Sequence, residues 1–191
     1  MKSVKGTETE KNLLKVFAGE SQARTRYTFF ASQAKKEGFK QIEAIFTETA
    51  DNEKEHAKRF FKHLEGGPVE ITATYPAGKI GSTLENLQEA AEGEHEEHAI
   101  LYPKFAQIAE DEGFAAIATT FRKIAEVEVE HEKRYRKLIE NIETNRVFEK
   151  DEEAAWKCGN CGYVHRDTKA PEVCPACLHL KEHFEIKETN Y

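Results

Sequence analysis

Apolar residues recur along most of the chain at alternating steps of three and four positions, the spacing that lines one side of an α-helix. Four long helices follow from that pattern. The first is predicted over about residues 8–36 and stops at Gly38; the second runs over about 39–65 and stops at Gly66-Gly67-Pro68. A connection carrying Pro68, Pro76, Gly78 and Gly81 leads to Ser82 or Thr83, either of which suits the cap of a third helix reaching about residue 111. Gly113 separates it from a fourth helix ending near residue 146. Pro103 falls inside the third helix and is expected to bend or locally unwind it. Beyond Val147-Phe148 the periodicity gives way to short runs punctuated by glycine and proline, so a division into residues 1–149 and 150–191 is expected.

Two tight hairpins joined by one longer crossover is the connectivity of ferritin-like bundles rather than of up-and-down ones. The halves are also related in sequence. When residues 34–60 are shifted by 75, twelve of twenty-seven positions are identical, among them Gly38/Gly113, Phe39/Phe114, Phe46/Phe121, Glu53/Glu128 and His56/His131. Two helix hairpins of one design imply a pseudo-two-fold bundle whose site takes matching ligands from each half.

Charged residues interrupt the apolar seams at one level. In the second helix Ile42, Phe46 and Thr49 continue into Glu53, His56 and Phe60; in the fourth, Ile117, Phe121 and Ile124 continue into Glu128, His131 and Tyr135. The first helix adds Glu20 on a stripe with Leu13, Phe17, Tyr27 and Ala31, and the third adds Glu94 on one with Leu87, Ala91, Leu101 and Phe105. Carboxylates converging in a core repel one another and resist desolvation unless cations sit between them. Two Glu-x-x-His helices with one Glu from each of the other two is the pattern of di-iron and di-manganese carboxylate bundles. Mixed oxygen and nitrogen ligation suits those metals better than zinc or copper, and a bridgeable redox pair points to small oxidants as substrates.

The 191 residues are 39% apolar, with a net charge of −7 and no basic cluster, so neither a nucleic-acid nor an anionic-membrane partner is expected. No apolar run approaches the ~20 residues of a membrane span and the first residues carry no apolar signal segment, so a soluble cytoplasmic protein is expected. All four cysteines lie near the end, as Cys158-x-x-Cys161 and Cys174-x-x-Cys177. That spacing reads as a four-thiolate metal site, with Trp156, Tyr163 and Phe184 as its small core. The cysteines alone favour zinc, the commoner tenant of such a site.

The segments FAGESQARTRY (17–27), ETADNEKEHAKR (48–59), AAEGEHEEHAILYP (90–103), VEVEHEKRY (127–135) and WKCGNCGYVHRDTKAPEVCPAC (156–177) closely resemble the rubrerythrin family over essentially the whole chain. The resemblance implies an all-α ferritin-like four-helix bundle with a rubredoxin-like C-terminal domain. It further implies a non-haem iron peroxidase that reduces hydrogen peroxide to water and serves in oxidative-stress protection. Its di-iron ligands would be Glu20, Glu53, His56, Glu94, Glu97, Glu128 and His131, with one iron shifting from Glu97 to His56 on reduction. Tyr27 and Tyr102 would donate hydrogen bonds to ligand carboxylates. The resemblance also turns the Cys158, Cys161, Cys174 and Cys177 site toward iron, with zinc as a substitute.

Electrons would come from an external donor such as rubredoxin or a pyridine-nucleotide-dependent reductase, and a head-to-tail homodimer is expected. A ferroxidase or iron-storage protein is the alternative, which the built-in electron donor disfavours. Glu97 rests on the resemblance alone, since periodicity favours His98 at that level. Glu92-x-x-His95 is a decoy, because Glu94 follows the helix stripe as Glu20 does.

Overall fold

The computed structural model describes residues 2–190. Helix α1 spans Glu8–Lys36 and α2 Lys40–Phe61; a third rod is built from α3 (Thr83–Glu96), a π-helical turn (Glu97–Leu101) and α4 (Tyr102–Asp111); α5 spans Ala115–Glu143. Helix α1 packs along α2, and the α3–α4 rod along α5, giving two hairpins joined by the crossover of residues 62–82.

The sequence repeat is a repeat of helix ends. At both hairpin turns a glycine adopts a left-handed backbone, Gly38 with φ +80° and Gly113 with φ +82°. In each the following phenylalanine amide reaches back five residues, Phe39 N to Ala34 O (2.9 Å) and Phe114 N to Ala109 O (2.7 Å), which closes the helix in a Schellman turn. The preceding glutamates cap the opposite hairpin: Glu37 accepts from Thr83 N at 2.9 Å and Glu112 from Thr9 N at 2.9 Å, each at a positive helix N-terminus. Ser82 caps α3 and exchanges hydrogen bonds with Glu85 in a capping box.

Two predicted bounds move. Helix α2 stops at Phe61 rather than 65, because His63 N and Leu64 N bond three residues back and tighten the chain before it reaches Gly66. Helix α5 stops at Glu143 rather than 146, where Asn145 turns left-handed (φ 57°) and Arg146 N bonds Asn141 O. The local unwinding expected at Pro103 takes the form of a π-helical stretch over Glu97–Leu101, in the turn before the proline, whose missing N–H leaves an α-helical ladder one bond short. Two stripe positions also slip. Phe17 is only half-buried and packs at a tilt against the exposed Phe61, while Val16 takes the inward position; Leu101 is half-buried and Tyr102 is fully buried in its place.

The interior holds two apolar clusters. One joins Leu13, Val16, Phe60, Phe105, Ile117 and Phe121; the other joins Phe30, Ile42, Phe46, Leu87 and Leu138. After α5, strand β1 (Glu149–Cys158) pairs antiparallel with β2 (Val164–Lys169) and β3 (Phe184–Ile186) in the order β2-β1-β3. Its core is Trp156, Phe184, Cys158 and Cys174, with Tyr163 partly buried against them. This sheet rests on the Gly38 end of the bundle, where Phe148 stacks on Phe39 with centroids 6.4 Å apart. Among the described residues no helix is long and apolar enough to cross a membrane.

Candidate metal centres

Between the two apolar clusters lies a layer of charge. Glu20, Glu53, Glu94, Glu128 and His131 are all at most 4% exposed, and His56 is half-buried. Their side chains form two overlapping sets of four: Glu20, Glu53, His56 and Glu128, then Glu53, Glu94, Glu128 and His131. Within each set the ligand atoms lie within 4.8 Å of one another. Glu53 and Glu128, the repeat-related pair, belong to both sets, so each presents one oxygen to either side. His56 Nδ1 is 3.0 Å from Glu53 Oε2 and 2.9 Å from Glu128 Oε1; His131 Nδ1 is 3.2 Å from Glu53 Oε1 and 2.8 Å from Glu128 Oε2.

These short distances are mostly not hydrogen bonds. Glu20 Oε2, Glu53 Oε1, Glu94 Oε2, both Glu128 oxygens and His131 Nδ1 are buried without a hydrogen-bond partner. Orphaned buried polar atoms are costly, and so many converging on two shared points are what a pair of cations would satisfy. The donor set, one imidazole per position with bridging and terminal carboxylates, fits two iron or manganese ions.

Without cations the groups settle by sharing protons. Burial pushes the Glu20 carboxyl well above its ordinary value, helped by the charges of Glu53, Glu97 and Glu128, and burial with Glu53 nearby lifts Glu94 to about 8. Burial would also raise Glu53, but the imidazoles of His131 and His56 hold it at about 2. Burial would lower both histidines; their facing carboxylates outweigh it and lift His56 to about 10 and His131 to about 12.

Two tyrosines reach the carboxylates from outside the layer. Tyr27 Oη donates to Glu94 Oε1 at 2.6 Å and Tyr102 Oη donates to Glu20 Oε1 at 2.5 Å, each from a buried ring. Asn52 is an addition that the sequence pattern did not flag: its Oδ1 lies 3.3 Å from His131 Nε2, which turns Nδ1 toward the carboxylates. No spacing signals it, because Val127 stands at the repeat-related position.

Glu97 and His98 part company in the π-turn. Glu97 belongs to neither set of four but lines a cavity of about 240 Å³ with Gly19, Arg26, Tyr75, Tyr102 and Phe105. Burial and then the charges of Glu94, Glu128 and Glu53 hold its carboxyl well above the usual range, which places it in the field of the cluster. His98 points elsewhere, with Nε2 2.6 Å from Glu132 Oε2 at the surface, where His95 joins it.

The second centre gathers the four cysteines, whose ligand atoms lie within 4.8 Å of one another. All four cysteines are free, with Cys158 Sγ 3.8 Å from Cys177 Sγ and Cys161 Sγ 3.7 Å from Cys174 Sγ. A disulfide needs ~2.05 Å. Four sulfurs at ~2.3 Å from one metal sit about 3.8 Å apart along a tetrahedral edge, so the spacing is that of a four-thiolate site. Without a metal the thiols share protons unevenly: the backbone amide of His179 helps pull Cys177 down to about 5, while the neighbouring thiols push Cys161 up to about 12.

The family model named Rubrerythrin matches residues 11–139, and one for the rubrerythrin rubredoxin-like domain matches residues 156–185. Rubrerythrin from Porphyromonas gingivalis is 63% identical over 190 residues, covering 100% of this chain and 95% of that one. Rubrerythrin from Nitratidesulfovibrio vulgaris is 56% identical over 191 residues, covering both chains completely. Among solved structures, nigerythrin in its fully reduced, all-ferrous state superposes with a TM-score of 0.64 at 29% identity, over 97% of this chain and 92% of that one.

Proposed function

Because the chain belongs to the rubrerythrin family, we propose that it is a peroxidase reducing hydrogen peroxide to water at a di-iron site, re-reduced through a four-Cys iron centre. Residues 1–149 would form the reaction compartment and residues 150–191 the electron relay. The single observation that carries this reading is the pair of four-ligand sets sharing Glu53 and Glu128 in the same chain as a cluster of four cysteine thiols.

When bound, two ferrous ions supply the two electrons that cleavage of the O–O bond requires, and protons complete two waters. Glu53 and Glu128 would bridge, Glu20 with His56 would hold one ion, and Glu94 with His131 the other. Tyr27 and Tyr102 keep their own protons, since burial and then the charge of Glu94 or Glu20 push their hydroxyls well above 10. Each therefore stays a donor that fixes one carboxylate through the cycle. Glu97 faces both the cluster and the cavity beside it, where a small oxidant would enter, and is the residue best placed to change partners as charge changes. Apolar clusters pack on either side of the layer.

Iron rather than zinc in the cysteine site follows from the same reading, since only a redox metal passes electrons. The test is to reduce the iron-loaded protein anaerobically and compare its oxidation by hydrogen peroxide and by oxygen. Faster oxidation by peroxide, with turnover when a reductant recharges the cysteine site, is expected. Faster oxidation by oxygen with accumulation of ferric iron would favour a ferroxidase.

A further inference from the structure

We propose that His95, His98 and Glu132 form a third cation site, on the surface of the bundle, that takes a late first-row divalent cation such as zinc. His95 lies in the last turn of α3, His98 in the π-turn, and Glu132 across from them on α5. None of the three belongs to either buried set. Glu132 Oε2 is 3.2 Å from His95 Nδ1 and 2.6 Å from His98 Nε2, and the three atoms lie within 4.8 Å of one another. Around a metal with bonds of ~2.1 Å, neighbouring ligand atoms sit roughly 3.0–3.4 Å apart. The first spacing already falls in that range and the second reaches it by opening about half an ångström.

The imidazoles meet edge to face, with centroids 5.2 Å apart and planes at 82°. The carboxylate is held from behind: Arg136 Nε donates to Glu132 Oε1 at 2.7 Å, which leaves Oε2 for the histidines. The guanidinium's charge is in turn matched by Glu92, 2.9 Å from its other arm, so the cluster keeps the negative charge of Glu132. Two imidazoles and one carboxylate without a thiolate suit zinc and its late neighbours; calcium and magnesium take oxygen ligands instead. His95 is 49% exposed, so water can complete the coordination. A cation held there ties the π-turn to α5 one residue from Glu97 and one from His131.

The test uses the full chain with its iron sites filled, dialysed against zinc and assayed for both metals. The expected result is one zinc per chain beyond the iron, with iron content unchanged, and anomalous density bounded by His95, His98 and Glu132. His95→Ala and His98→Ala should each weaken that uptake roughly tenfold or more while keeping helix content and iron. The proposal is overturned by no zinc beyond exchange for iron, or by uptake that both variants leave unchanged; either would make the triad a hydrogen-bonded tether only.

Discussion

Removing the metals should make the bundle lose stability as the pH rises, a dependence opposite in sign to acid unfolding. Glu94 sits at about 8 in the folded chain against 4.5 ordinarily, so folding holds a proton that the unfolded chain has released. Its contribution is complete below pH 4.5 and is lost as the pH climbs through about 8. His56 at about 10 and His131 at about 12, both from 6.5, contribute fully below pH 6.5 and lose that stabilisation above it. Glu53, held at about 2, acts in the other direction, but its window lies between about 2 and 4.5 and is closed at neutral pH.

Between pH 6.5 and 8, Glu94, His56 and His131 therefore all act in the same direction. Glu94 and His131 face each other at 3.6 Å and titrate as a pair, so their effects do not add in full; the loss over this range is of the order of a few kcal/mol, a fall in Tm of about 10 °C. The assay strips iron with a chelator under reductant and follows the far-ultraviolet helical signal on heating across that range, since that signal reports the bundle rather than the cysteine module. Iron-loaded protein should diverge from the apo curve and gain on it as pH rises, because the metals displace these same protons. An apo Tm that stays flat or rises from pH 6.5 to 8 would refute the reasoning.

Tyr102→Phe removes the 2.5 Å bond to Glu20 without changing ring volume; iron affinity measured by chelator competition should fall about 10–100-fold with helix content unchanged. Glu97→Ala should still load two irons but slow peroxide turnover, whereas His98→Ala should leave turnover near wild type; exchanged outcomes would assign the extra ligand to His98. Leu178 holds a left-handed backbone (φ 61°) where the other cysteine turn has Gly162 (φ 80°), so Leu178→Gly should stabilise the metal-loaded tail by about 1 kcal/mol in denaturant melts. The tail rests on the Gly38 end of the bundle, and Glu53 lies fourteen residues along α2 from Phe39, about 20 Å away at ~1.5 Å per residue. Electrons should therefore cross between chains of a head-to-tail homodimer: heterodimers of Cys158→Ser and Glu53→Ala chains should regain peroxidase activity that neither parent has, and no recovery in confirmed, metal-loaded heterodimers would keep the transfer within one chain.

What the sequence made legible was whatever recurs. The Gly38/Gly113 turns and the paired Glu-x-x-His segments each appear twice, and a two-fold coincidence is hard to produce without a common structural cause. The hydrogen bonds of Tyr27 and Tyr102 followed from the family resemblance, and the clustering of the sulfurs from two C-x-x-C turns. Asn52 escaped because it serves only one half, and an unrepeated polar residue on a helix looks like any solvated one.

Helical periodicity fails at a definite place, and for a physical reason. Counting in steps of three and four from Glu94 puts His98 and Leu101 on the seam, which assumes an unbroken α-helix. The π-turn over Glu97–Leu101 takes one residue more per turn, so the seam resumes at Tyr102 instead of Leu101. In the same turn His98 reaches Glu132 on α5 and Glu97 lines the cavity. Tyr102 owes its bond to Glu20 to that slip, since the side chain of Leu101 carries no donor. The irregular turn therefore positions a hydrogen-bond donor, a surface histidine and a cluster-facing carboxylate at once, and a regular third helix would have to give up at least one of them.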